Sequence, residues 1–79
     1  MPPPAPVAPH IFKRMLEVYG FVLREEDEHN WALYRAATET VIIIPKHGEV
    51  ISLEVMMSIL HELKIDDATY FHLLRLASD

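Results

Sequence analysis

Apolar residues recur along this chain with two different periods, and the changes of period divide it into elements. Ile11, Met15 and Tyr19 fall at i, i+4 and i+8, with Phe12 and Leu16 in the adjoining row. Lys13, Arg14 and Glu17 take the opposite face. That stripe predicts an amphipathic helix. Pro9 suits its first turn, where a missing N–H costs nothing, and Gly20 suits its end, where the chain needs a left-handed residue.

After Gly20 the period drops to two. Residues 21–24 are apolar and aromatic up to Arg24. Residues 30–35 read N-W-A-L-Y-R, which puts Trp31, Leu33 and Arg35 on one face and Asn30, Ala32 and Tyr34 on the other. Residues 40–44 form a β-branched run ended by Pro45, as expected of a strand buried over most of its length. The two connections are short enough for antiparallel hairpins.

Helical spacing then returns. Residues 45–51 read as a loop, Ser52 as an N-cap, and Met56, Ile59, Leu60 and Leu63 as one stripe with Leu53 and Val55 near its start. Asp66 is placed to cap a last helix carrying Tyr70, Phe71, Leu73, Leu74 and Leu76. The predicted order is αβββαα. In this α+β fold, a three-stranded antiparallel sheet packs its helices on one face and so covers every apolar stripe.

Composition changes the picture at the N-terminus. Five prolines among the first nine residues prevent a regular backbone ladder there. Residues 1–9 are therefore expected to form a flexible tail and residues 10–79 a single domain. With no cysteine among 79 residues, the core must come from packing alone. The longest apolar run, residues 41–44, is too short to span a bilayer. The N-terminus lacks the basic and apolar regions of a signal peptide. The expectation is a cytoplasmic protein with no membrane partner.

The net charge is −5, and the acidic run at 25–28 (Glu25, Glu26, Asp27, Glu28) carries four of those charges. With only seven Lys and Arg, charge alone argues against a generic phosphate-binding surface.

Several residues, taken in order, resemble the HicA (YcfA-like) toxin family. The first helix ends in the pattern L-E-x-x-G-F, here Leu16, Glu17, Gly20 and Phe21, and a basic residue, Arg24, follows on the first strand. A histidine-ended turn, Asp27-Glu28-His29, leads into a strand containing Trp31 and Tyr34. The third strand closes on Pro45, before His47 and Gly48, and the next helix carries Ser58, Ile59 and Leu60. The likeness covers roughly residues 11–76. It implies a double-stranded-RNA-binding-domain-like fold and an mRNA interferase, an endoribonuclease that needs no cofactor. It also implies a HicB-like antitoxin as protein partner, with mRNA as substrate. Where the family has Gly-Ser before the turn histidine, this chain has Asp27 and Glu28.

The resemblance assigns His29 the catalytic role. The chemistry fits, because an imidazole titrates at about 6.5 when unperturbed and can take a proton from a ribose 2′-OH at neutral pH. The competing reading is a histidine in a solvated acidic turn. His47 is a candidate phosphate contact or acid partner, or else a polar loop residue beside a turn glycine. Arg24, Arg35 and Lys46 are candidates for RNA binding; with so many acids near, Arg24 and Arg35 are expected to pair with Glu25, Glu26 or Glu28 instead. Metal binding is disfavoured: no H-E-x-x-H spacing occurs, and consecutive acids in a turn point in different directions. His10, His61 and His72 read as surface residues.

A second reading comes from another class of function. The acidic run 25–28, together with Trp31, would be the docking surface of a module that binds a basic protein and has lost catalytic power.

Overall fold

The computed structural model describes residues 3–78. Helix α1 (Pro9–Val18) is followed by strands β1 (Val22–Glu26), β2 (Asn30–Arg35) and β3 (Thr40–Pro45), then helices α2 (Leu53–Glu62) and α3 (Asp67–Ser78). A single 3-10 turn over Ala36–Thr38 joins β2 to β3. The strands form one antiparallel sheet in the order β1-β2-β3. This is the αβββαα domain that the alternating periods predict.

Each helix end has a local cause. Gly20 takes φ +110°, the Gly20 N–H donates to the Glu17 carbonyl, and the Phe21 N–H donates to Leu16 at 2.9 Å. These two bonds close α1 in the six-to-one pattern that a left-handed residue permits. Helix α2 closes by the same pattern, with Lys64 N–H bonded to His61 and Ile65 N–H to Leu60. Here a lysine at φ +56° holds the left-handed position. The Asp66 carboxylate accepts the Thr69 N–H at 2.8 Å, as expected of a cap. Ser52 occupies the N-cap place before α2, but its hydroxyl makes no capping bond.

The helices cover the sheet face that carries Leu33, Ile42 and Ile44. Phe12, Met15 and Leu16 from α1, Phe21, Met56 and Leu60, and Tyr70, Leu73 and Ala77 from α3 complete the core. Arg14 joins the two outer helices by donating to the Ala77 carbonyl at 2.8 Å, in the negatively polarised last turn of α3. The other sheet face, with Val22, Val41 and Ile43, is exposed.

Two expectations are revised. The first strand runs two residues further than 21–24, so Glu25 and Glu26 are strand residues and the turn begins at Asp27. A β-bulge at Arg24, between the pairs Leu23–Leu33 and Glu25–Ala32, makes that length possible. Along the N-terminal stretch expected to be a flexible tail, residues 3–8 lie against the domain and Pro9 already belongs to α1. Pro4 is buried, the Val7 carbonyl accepts the Ile51 N–H at 2.8 Å, and the Ala5 carbonyl accepts the Tyr70 hydroxyl at 3.0 Å. The prolines exclude a ladder but not these isolated bonds, since proline keeps its carbonyl and packs as an apolar ring. The start of that stretch, Met1 and Pro2, lies outside the described residues. No described helix is long and apolar enough to cross a membrane.

Candidate functional site

The β1–β2 turn and the end of β3 meet at one end of the sheet. Asp27 builds the turn: its Oδ1 accepts the N–H groups of His29 (2.8 Å) and Asn30 (2.7 Å), while its own N–H donates to the Asn30 carbonyl. A carboxylate that accepts backbone N–H groups two and three residues ahead fixes a tight turn where no Asn-Gly pair is present. Those two bonds hold the Asp27 carboxyl below its ordinary pKa.

β3 reaches this turn because its ladder with β2 runs one residue past the sheet, through Lys46 N–H to the His29 carbonyl at 2.9 Å. The Lys46 ammonium then bonds the Glu26 carboxylate at 2.6 Å and the Asp27 carbonyl at 2.8 Å. The hydrogen bond from Lys46, reinforced by its charge, lowers the Glu26 pKa. Next along the chain, the His47 ring bonds the Glu28 carbonyl at 2.7 Å. A carbonyl only accepts, so Nε2 of His47 carries the proton and Nδ1 is the nitrogen left for other work.

The result is a pair of exposed histidines. The rings of His29 and His47 stand 6.4 Å apart, edge to face. Two imidazoles near one another are the kind of groups that can give and take protons in phosphodiester cleavage. Among the described residues no three His, Asp or Glu side chains converge as a metal site. Beside the turn, a hollow of about 160 Å³ is lined by Glu25, Glu26, Asp27, Asn30, Ala32 and Ile43. That is below the usual size of a small-molecule pocket, about 300 Å³ or more.

The basic candidates are placed differently from expectation. Arg24 and Arg35 do not pair with the acidic run. The Arg24 guanidinium lies 4.8 Å from the Tyr34 ring on the open face, and Arg35 lies 4.5 Å from the Tyr19 ring. Alternation along β1 puts Arg24 on the face of Val22 and Tyr34, while Arg35 lies across Gly20, where a Cβ would come within 3.3 Å of its Nε. Among the described residues the ion pairs are Lys46–Glu26 and Lys13–Glu17. Trp31 is half-buried against the core with the Lys13 ammonium 5.3 Å from its ring, so only part of it remains accessible. His10, His61 and His72 are exposed.

The clasp formed by Lys46 was not foreseen. The signal available was parity: Ile42, Ile44 and Lys46 share one face of β3, which is also the face of Trp31 and its partner Glu26.

Fold and site together define a small α+β domain with a paired-histidine tip. Comparison with protein-family models, with curated proteins and with solved structures returned no match.

Proposed function

We propose that this chain is a HicA-like endoribonuclease that cleaves mRNA, with the histidine pair at the sheet tip as its reaction centre. The reading joins the sequence resemblance, with the double-stranded-RNA-binding-domain-like fold it implies, to one observation: the 6.4 Å approach of His29 and His47. In this reaction His29 takes the proton of a ribose 2′-OH, and the freed oxygen attacks the adjacent phosphorus. The bond from phosphorus to the 5′-oxygen breaks, and that oxygen leaves with a proton from the His47 imidazolium. The products are a 2′,3′-cyclic phosphate and a 5′-hydroxyl. The partner of such a protein is a HicB-like antitoxin, and its compartment the cytoplasm.

The test is cleavage of end-labelled RNA in the presence of a chelator, by the parent chain and by His29→Ala and His47→Ala. Cleavage by the parent, lost in both variants and blocked by a 2′-deoxy substitution at the cut site, supports the reading. Equal cleavage by parent and variants rejects it.

A second reading rests on the placement of the cations. Lys46 is tied to Glu26, and Arg24 and Arg35 lie on tyrosine rings, which leaves the tip dominated by Glu25 and Glu28. Such a surface suits a basic protein partner better than a polyanion. Absence of cleavage over a wide pH range, with tight salt-sensitive binding to a basic protein, favours this alternative.

A further inference from the structure

The two edges of the sheet differ in a way that bears on association. The β1 edge is interrupted by the bulge at Arg24 and carries Arg24, Glu25 and Glu26. Bulges and charges of this kind protect an edge from pairing. The β3 edge has neither: Thr40, Val41, Ile42, Ile43 and Ile44 are uncharged and in unbroken register with β2.

The ladder fixes which β3 groups point outward. Lys46 N–H bonds to His29, so in antiparallel alternation Ile44, Ile42 and Thr40 also turn their N–H and C=O groups toward β2. Val41, Ile43 and Pro45 then face away. Among the described residues nothing bonds the outward N–H of Val41 or Ile43, and their side chains on the open face are 50% and 52% exposed.

We infer that the β3 edge pairs antiparallel with β3 of a second copy of this chain, joining two sheets into one of six strands. A two-fold axis at Ile42 sets Val41 of each copy opposite Ile43 of the other, so both outward donors and both acceptors are satisfied in each strand. The same register sets Pro45, which has no N–H, opposite Glu39, whose N–H is already bonded to the Ala36 carbonyl within its own turn. On the open face it brings the half-exposed Val41 and Ile43 side chains of the two copies together as cross-strand pairs.

Charge selects the same partner. The acidic run belongs to β1 and its turn, and β1 is the strand furthest from the new junction. The two β1 strands stand five strand spacings apart, about 24 Å, and the two-fold axis sends the acidic tips to opposite ends. That separation exceeds the screening length of about 8 Å at physiological salt. Two chains of net charge −5 therefore join along residues 40–44, which carry no charge, with Glu39 as the one acid flanking each end of the junction. The inference does not depend on the proposed nuclease activity.

The experiment combines sedimentation equilibrium of the full chain, up to roughly 1 mM, with residue-resolved amide exchange. The expected result is a species of twice the 9.1 kDa chain mass. The Val41 and Ile43 amides should become protected as concentration rises. Ile43→Lys, which alters only the open face, should weaken association at least about tenfold, whereas Val22→Lys, on the same face but on β1, should leave it unchanged. A monomer throughout that range overturns the inference. So does a dimer whose Val41 and Ile43 amides exchange freely, or one broken equally by both lysines, since that pattern means stacking of open faces. If Ile43→Lys fails to fold by circular dichroism, the exchange of the parent still decides.

Discussion

Lys46 and Glu26 meet at 2.6 Å, and through that bond the end of the third strand holds the tip of the first hairpin. These strands are not neighbours in the sheet; β2 lies between them. The ammonium reaches across the end of β2 to the Asp27 carbonyl as well, so one side chain braces the turn that presents His29.

This clasp carries a pH signature. The folded-state pKa values of Glu26, Asp27 and Asp66 are all depressed: Glu26 by Lys46, Asp27 by the His29 and Asn30 amides, and Asp66 by the Thr69 hydroxyl and amide. A depressed carboxyl binds fewer protons folded than unfolded. Its contribution is therefore present above the unfolded value and lost as pH falls through the folded one. Stability should decline from about pH 4 downward. Thermal melts of Lys46→Met against pH should show a smaller acid-induced loss than the parent; an identical slope rejects the clasp.

Asp27 should be replaceable only by a residue that keeps its oxygen. Asp27→Asn retains an Oδ1 acceptor for the His29 and Asn30 amides, whereas Asp27→Ala leaves the turn without one. The expected order of melting temperature is parent, then Asn, then Ala. In the cleavage assay the Ala variant should lose more activity than the Asn variant, because the turn positions His29. Equal melting of the two variants contradicts the role given to the turn.

Lys64 offers a gain. A left-handed non-glycine residue is strained by roughly 1–2 kcal/mol, and Lys64 sits at φ +56°. Glycine removes that strain but adds freedom to the unfolded chain, so Lys64→Gly should stabilise by about 0.5–1 kcal/mol. For a domain of this size 1 kcal/mol corresponds to about 4–8 °C in Tm. Calorimetry showing a fall in Tm refutes it.

Tyr70 fastens the N-terminal segment. Its ring is buried, its hydroxyl donates to Ala5, and burial raises its pKa. The native state therefore holds its proton more tightly than the unfolded chain. That contribution is intact below about pH 10 and is lost as pH rises through the raised folded value. Tyr70→Phe should cost about 1 kcal/mol at neutral pH, flatten the alkaline loss, and speed proteolysis within residues 3–8. Unchanged proteolysis contradicts the tether.

Much of the fold could be read from residue spacing. Helix α1 is written in the rows of Ile11, Phe12, Met15 and Leu16, and the two faces of β2 in the alternation of Trp31, Leu33 and Arg35 with Ala32 and Tyr34. What could not be read depends on contacts distant in sequence. Proline content predicts the lack of a ladder near the N-terminus, but not that Ala5 would find a hydroxyl 65 residues away. Charge proximity predicted arginine–acid pairs, yet Tyr34 and Tyr19 supply ring faces to Arg24 and Arg35 that a linear reading does not set beside them. The approach of His29 to His47 had the same obstacle, since it needs the register of β2 on β3.

The bulge at Arg24 also decides what the four acids are for. Side chains on a strand alternate between faces, so in an uninterrupted ladder after Leu23 the next residue on the core side would be Glu25. Because Arg24 is an extra residue, Glu25 falls outward opposite Ala32, and Glu26 falls inward opposite Trp31, within reach of Lys46. The acids are thus not interchangeable, although they look so in the sequence. Deleting Arg24 would straighten the strand and leave the paired residues of β1 on their present sides.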